Sequence, residues 1–142
     1  MSDRYAPLFS PKTLVQIPAL AEIPALAPDA PGLYGFWFRP EALPGVSTAG
    51  CIVKDGYAML NLGIARNNKA CTSNLRKRLS SHYGARGGAT PLRKKLESLT
   101  GLGGDALTRW LEDNARLSWV EVPEPYKENR ALIRQGVFPL NA

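Results

Sequence analysis

Three short apolar segments dominate the hydrophobic pattern of the chain and predict strands. Gly32–Phe38 (GLYGFWF) is rich in aromatic residues, which favour strands, and lies between Pro31 and Pro40, which interrupt regular structure. Residues 57–64 (YAMLNLGI) predict a second strand, antiparallel to the first. Apolar and polar residues alternate in residues 116–122 (RLSWVEV), and this period of two predicts a third strand.

Capping residues followed by apolar positions at helical spacing predict four helices. Ser, Thr and Asp cap helices because their side chains accept the unpaired N–H groups of the first turn, and proline is tolerated at the first helical position. The predicted helices are one capped by Thr72 or Ser73 that ends near Tyr83, one capped by Thr90 that runs from Pro91 to about Leu99, one capped by Asp105, and one at residues 126–135. The resulting order, β-β-α-α-α-β-α, predicts an α+β domain with a small antiparallel three-stranded sheet flanked by helices.

The first 31 residues are set apart by their prolines. The near-repeat QIPALAEIPALAPDAP excludes a long regular helix, so residues 1–31 are interpreted as an N-terminal arm with at most a short helix at residues 14–20. Residues 39–55 contain scattered proline and glycine and are expected to form a loop or hairpin excursion. The folded domain is predicted to span residues 32–142.

The composition is that of an ordinary globular domain. The chain has 142 residues, of which 44% are hydrophobic and 21% charged, and this mixture excludes wholesale disorder. No apolar run approaches the roughly 18 residues that span a bilayer, and no secretory signal is visible, so we expect no membrane partner. Cys51 and Cys71 have no metal-type spacing, which favours reduced thiols and a cytoplasmic location.

The net charge of +6 is unevenly distributed. Residues 66–95 hold nine of the eighteen basic residues and no Asp or Glu, whereas the rest of the chain holds nine basic and twelve acidic residues. A concentrated basic block suits a phosphate backbone, because each contact releases a counterion. A solvated basic face without a partner is the alternative.

Four short motifs occur in one order along the predicted elements. They are Gly32-Leu33-Tyr34, Asn61-Leu62-Gly63, Arg78-Leu79-x-x-His82, and Leu132-Ile133 followed by Pro139-Leu140-Asn141. This arrangement resembles the GIY-YIG nuclease superfamily over residues 32–141. The resemblance implies a GIY-YIG-like fold and metal-assisted hydrolysis of phosphodiester bonds, with Mg²⁺ or Mn²⁺ as the cation.

The resemblance also implies roles for single residues. Tyr34 matches the tyrosine of the first motif and would transfer a proton to or from the attacking water. Arg78 matches the helical arginine, and a guanidinium can form bidentate bonds to phosphate and stabilise charge there. His82 matches the histidine of the family and lies on the same helix face as Arg78, four residues further on.

Three further positions match residues that shape the family site. Gly63 matches the glycine of the second motif, where a missing side chain would let a phosphate approach the backbone. Gly32 is expected to be structural. Asn141 is expected to tie the exit segment to the sheet through its amide.

Two positions depart from the family pattern. Asn61 stands where the second motif has tyrosine, and Asn129 stands where the family has the glutamate that binds the metal. An amide oxygen can coordinate a hard cation but brings no negative charge. Three alternatives follow: Glu128 swings in as the ligand, the substrate itself holds the cation, or this member no longer hydrolyses phosphodiesters.

The first functional hypothesis is therefore a GIY-YIG-type endonuclease acting on DNA with an altered metal site. Its catalytic residues would be Tyr34, Asn61, Arg78, His82 and Asn129, with Glu128 or Asn129 at the metal. The alternative is a scaffold that only binds nucleic acid or acts on a small anionic ligand. The residues expected to bind the nucleic acid or anion are Gly63, Arg66, Lys69, Arg76, Lys77, Arg86 and Lys94.

Overall fold

A four-stranded antiparallel sheet lies at the centre of the fold. The computed structural model describes residues 3–84 and 89–141, so Arg86 lies outside the described residues. The strands are β1 (Gly32–Phe38), β2 (Val53–Lys54), β3 (Tyr57–Ala65) and β4 (Ala115–Glu121). Their spatial order is β2-β3-β1-β4. The three predicted strands and the α+β class are confirmed, and β2 adds two residues within the expected excursion.

Six α-helices and four short 3₁₀ turns surround the sheet in the described part of the chain. The helices are α1 (Ala6–Phe9), α2 (Ile23–Leu26), α3 (Leu75–Tyr83), α4 (Pro91–Thr100), α5 (Gly104–Asn114) and α6 (Asn129–Arg134). The 3₁₀ turns are Asp3–Tyr5, Leu20–Glu22, Pro40–Ala42 and Pro125–Lys127. None of these helices combines the length and apolar character that crossing a membrane requires.

The central strand β1 is buried along its whole length, which explains its unbroken apolar sequence. Phe36 and Phe38 pack with Leu79 of α3 in one core cluster on the first face of the sheet. Leu33 and Trp37 belong to a second cluster on the opposite face, where α1 and α6 contribute. Because both faces of the sheet are covered, every residue of β1 is buried. The strand therefore lacks the alternation of apolar and polar residues that is typical of a half-exposed strand.

Two predicted helix caps are wrong. The cap of α3 is Asn74, not Thr72 or Ser73, and its side chain accepts the N–H of Lys77 at 2.8 Å. The cap of α5 is Gly103, and Asp105 lies in the first turn of the helix instead. The predicted cap at Thr90 is confirmed, since its hydroxyl accepts the N–H of Arg93 at 3.2 Å.

The arm and the last helix also differ from prediction. The short helix expected at residues 14–20 is wrong, because Val15 instead forms a backbone bridge to Leu117 of β4, with N–H···O distances of 2.9 and 2.8 Å. The helix expected at residues 126–135 is divided into the turn Pro125–Lys127 and α6. Asn129 consequently begins a helix rather than lying within one.

Candidate functional site

One cavity of about 360 Å³ collects the residues singled out from the sequence. It lies where β1 and β3 meet the helices α3, α4 and α6. All five residues predicted to be catalytic line it: Tyr34, Asn61, Arg78, His82 and Asn129. Gly63, Arg66 and Asn141 line it as well. The topology therefore brings together motifs that are up to about one hundred residues apart in the chain.

The register of β1 and β3 determines how Tyr34 enters the cavity. Tyr34 pairs with Gly63, and Phe36 pairs with Asn61, so these positions share one face of the sheet. A Cβ atom at Gly63 would fall on the Tyr34 ring. The space at Gly63 is thus filled by the tyrosine, which differs from the predicted approach of a phosphate to that backbone. Gly32 is structural in the same sense, because a side chain there would meet the carbonyl of Val120.

Helix α3 carries Arg78 and His82 into the cavity one turn apart. The arm holds the start of this helix, since the N–H groups of Leu75 and Arg76 donate to the carbonyls of Ala30 and Pro28 at 2.8 and 3.1 Å. The arm is therefore part of the support for the site.

A chain of hydrogen bonds connects the tyrosine, the histidine and the next helix. The Tyr34 hydroxyl lies 2.5 Å from His82 Nε2, and His82 Nδ1 lies 2.8 Å from Thr90 Oγ1. Thr90 at the same time caps α4. The sequence identified Thr90 as a cap but carried no signal of its contact with His82, because the two residues lie eight positions apart and no local pattern relates them.

Burial keeps both partners of the short contact neutral near pH 7. Removal from water lowers the pKa of His82 to about 3, and the positive charges of Arg78 and Arg93 add to this effect. Burial likewise raises the pKa of Tyr34 to about 12, although the neighbouring Arg78 guanidinium acts in the opposite direction. A neutral imidazole and a neutral phenol therefore face the cavity beside a permanent cation.

Arg93 is a buried cation, although nothing in the sequence distinguishes it from its basic neighbours. It is 1% exposed, and burial lowers its pKa. Its guanidinium donates to the carbonyls of Tyr83 at 2.7 Å and Gly104 at 2.9 Å, and to that of His82 at 3.3 Å. Arg93 therefore joins the end of α3 to the start of α5 directly behind the site.

The basic block of residues 66–95 is not one continuous surface. The guanidinium of Arg66 lines the cavity but donates to the carbonyls of Lys69, Cys71 and Pro123 at 2.7–3.2 Å. Arg76 donates to the carbonyl of Ala27 at 3.2 Å. Both arginines thus support loops, which differs from their predicted role in anion binding. The block residues that remain exposed and lie outside the cavity lining include Lys69, Lys77 and Lys94.

Asparagine side chains form the opposite side of the cavity. The amide of Asn141 accepts the Leu62 N–H at 2.9 Å and donates to the Leu62 carbonyl at 2.8 Å, which is the expected tie between the exit segment and the sheet. Asn61 Nδ2 donates to Asn141 Oδ1 at 3.0 Å. Asn61 Oδ1 is buried and has no hydrogen-bond partner among the described residues. Asn129 reaches the cavity from the first turn of α6.

No Asp or Glu of the described residues lines this cavity. Glu128 is turned elsewhere: its carboxylate pairs with Arg4 at 2.7 Å, accepts the Tyr5 hydroxyl, and lines a separate recess. The structure therefore does not place Glu128 at the site, contrary to that prediction. The described residues also contain no group of three or more His, Cys, Asp or Glu that could hold a metal ion.

This donor set does not fit a cation held by the protein. Mg²⁺ is usually bound by one or two carboxylates together with oxygens of the substrate. Around this cavity the side-chain oxygen atoms belong to neutral amides, the Tyr34 phenol and the Ser73 hydroxyl, and Arg78 adds positive charge.

Comparison with models of known protein families identifies the family to which this chain belongs. The family model described as GIY-YIG catalytic domain matches residues 32–142, which is more than half of the chain. The chain therefore belongs to the GIY-YIG catalytic domain family. No curated protein and no solved structure shows a significant match to it.

Proposed function

We propose that the cavity binds a phosphodiester group of DNA and that the protein hydrolyses it. The observation that supports this most directly is the Tyr34–His82 contact of 2.5 Å beside Arg78 in one cavity. This arrangement combines a group that can exchange a proton with a group that binds phosphate. Membership of a catalytic domain family supports the same proposal.

In the proposed reaction, water attacks phosphorus and the bond from phosphorus to the leaving oxygen breaks. Arg78 binds the non-bridging oxygens and stabilises their charge in the transition state. The neutral Tyr34 hydroxyl gives its proton to the leaving oxygen, the phenolate takes back the proton that the attacking water loses, and His82 orients the phenol. No step is assigned to a metal, because the residues around the cavity do not fit one held by the protein.

The test is nicking of supercoiled plasmid DNA by the purified protein, with Mg²⁺, with Mn²⁺ and with a chelator. We expect cleavage that Arg78→Ala reduces by at least roughly 100-fold, as when a group that stabilises transition-state charge is removed. Arg109→Ala is the matched control, because Arg109 is exposed on α5 and does not line the cavity. The proposal fails if the folded protein cleaves DNA under none of these conditions, or if Arg78→Ala cleaves at the wild-type rate.

The second candidate is an anion-binding protein without nuclease activity, and the absence of carboxylates from the cavity lining favours it. Its ligand would be nucleic acid or a small anionic molecule, and the volume of about 360 Å³ lies in the range of small-molecule sites. This candidate predicts binding that weakens with salt and with Arg78→Ala, but no cleavage. A fluorescent oligonucleotide and a mononucleotide, titrated in parallel, distinguish the two ligands.

A further inference from the structure

A recess of about 460 Å³ lies beside the cavity, between α4 and the exit segment that follows α6. Its lining includes Lys95 and Leu99 of α4, Val46 of the excursion and Pro139 of the exit segment. No Asp or Glu of the described residues lines it. Of its lining residues only Leu140 also lines the cavity, so the residues assigned to catalysis leave this recess without a role.

Two elements run from the cavity into this recess. Pro91, Lys95 and Leu99 are four residues apart and therefore lie along one face of α4. Pro91 lines the cavity, whereas Lys95 and Leu99 line the recess. At a rise of about 1.5 Å per residue, Leu99 lies roughly 12 Å from Pro91 along the helix axis. On the facing side Leu140 lines both spaces, so the recess continues the cavity along α4.

The recess combines a cation with apolar surface. Lys95 forms no ion pair with an Asp or Glu of the described residues. Glu97 lies on the opposite side of α4, because two residues along a helix correspond to a rotation of about 200°. Leu99 is 41% exposed, although large apolar side chains are mostly buried in the described part of the chain. A ligand that matches this recess therefore carries an anionic group beside apolar surface.

We propose that the recess binds the nucleotide next to the scissile phosphate, in a single strand of nucleic acid. The scissile phosphate lies at Arg78, the neighbouring phosphate at Lys95, and the unpaired base against Leu99. This subsite rests on the proposed function, and its support is the continuity with the cavity and the charge of Lys95. A duplex does not make these contacts, because pairing and stacking keep the faces of its bases inside the double helix.

The test is binding without cleavage. The probe is a fluorescent single-stranded DNA hexanucleotide with phosphorothioate linkages, which resist hydrolysis, and its anisotropy is measured with the purified protein. An unlabelled hexanucleotide, a mononucleotide and a hairpin duplex of the same sequence compete with the probe. We expect the single strand to compete at least roughly tenfold better than the mononucleotide, because only the longer ligand supplies a second phosphate and a flanking base. The duplex should compete less well than the single strand.

Variants of the recess test the two contacts separately. Lys95→Ala should weaken binding of the hexanucleotide about fivefold at 0.1 M salt and lower the salt slope by about 0.7, as for the loss of one phosphate contact on a single strand. Leu99→Glu should weaken it at least roughly tenfold, because it replaces apolar surface with a charge that repels phosphate. Binding of the mononucleotide should be unchanged in both variants.

Two matched controls distinguish the recess from the general surface. Lys94→Ala removes the same charge from the adjacent exposed position, which does not line the recess. Leu26→Glu changes a leucine that is also 41% exposed but lines neither the cavity nor the recess. Both should bind the hexanucleotide within about twofold of the wild type, because charges far from the ligand are screened. Circular dichroism checks the folding of every variant.

The subsite is refuted if Lys95→Ala and Leu99→Glu bind the hexanucleotide like the wild type, or if the controls lose as much affinity. It is refuted as well if the wild-type protein does not bind the hexanucleotide, or if duplex or mononucleotide competes equally well, and these comparisons need no variant. Plasmid nicking is scored separately. Binding that depends on Lys95 and Leu99 without any cleavage would refute the nuclease proposal alone, whereas cleavage with unaffected variants would refute the subsite alone.

Discussion

The two sides of the cavity differ in charge and in how their polar atoms are partnered. We call Tyr34, Arg78 and His82 the ionisable wall, and Asn61, Asn129 and Asn141 the amide wall. The phenol and imidazole of the ionisable wall are linked to each other and, through Thr90, to the helices behind. The amide wall is neutral, and it contains a buried oxygen without a partner among the described residues.

The difference teaches that the ionisable groups and the amide groups of the cavity are supported by separate parts of this fold. The ionisable wall depends on α3, α4 and α5, which Arg93 joins. The amide wall depends on β3, α6 and the exit segment, which Asn141 joins to the sheet. Substitution on one wall can therefore leave the architecture of the other wall intact.

The largest expected effect comes from removing the support of the ionisable wall. Arg93→Ala removes the hydrogen bonds that the guanidinium donates to the carbonyls of His82, Tyr83 and Gly104, and a hydrogen bond from a charged donor contributes roughly 1.5–3 kcal/mol. We expect urea unfolding to report a loss of about 3 kcal/mol. Lys94→Ala, at the adjacent exposed position, should stay within about 0.5 kcal/mol. Equal effects of the two variants would show that Arg93 is an ordinary surface charge.

Acid should destabilise the ionisable wall through His82. Its pKa is about 3 in the folded protein and near 6.5 when unfolded, so the unfolded chain binds more protons between these values. This contribution to stability is complete above pH 6.5 and is lost as the pH falls toward 3, at up to about 1.4 kcal/mol per pH unit. His82→Gln should flatten the pH dependence of urea unfolding in this window. An unchanged slope would mean that His82 is not buried in its neutral form.

The smallest expected effect concerns the amide wall. Asn129→Glu adds the missing carboxylate, and we expect Mn²⁺ to bind at least about tenfold more tightly, a gain of roughly 1.4 kcal/mol. The signal of free Mn²⁺ in electron paramagnetic resonance measures this directly. Glu128→Gln is the control and should leave Mn²⁺ binding unchanged, because that carboxylate pairs with Arg4. Loss of binding in Glu128→Gln would place Glu128 at the cation after all.

Local signals predicted the sheet well because its strands are both apolar and clearly bounded. The bounds of β1 follow from an aromatic run between two prolines, and Thr90-Pro91 identified the start of α4. The cap of α3 was misplaced because three successive polar residues can each serve, and Asn74 has the additional support of Asp29, to which its amide donates at 2.5 Å. Such a contact depends on the folded path of the arm.

The sequence predicted which residues line the cavity, but it did not predict the contacts that support them. The motif order brought Tyr34 and His82 to one place, whereas the burial of Arg93 and the contacts of Glu128 with Arg4 and Tyr5 depend on distant segments. In the sequence, a basic residue that is buried and bonded to carbonyls looks the same as an exposed basic residue beside it. The roles of Arg93 and Glu128 could therefore be seen only in the folded structure.

The bridge from Val15 to Leu117 gives the arm a protective role. Strand β4 lies at the edge of the sheet, where unpaired backbone groups can recruit a strand from another molecule. Val15 occupies both backbone groups of Leu117 and so blocks the middle of this edge. Without the arm, the middle of this edge would present unpaired backbone groups, so the segment that holds the start of α3 also covers the edge of the sheet.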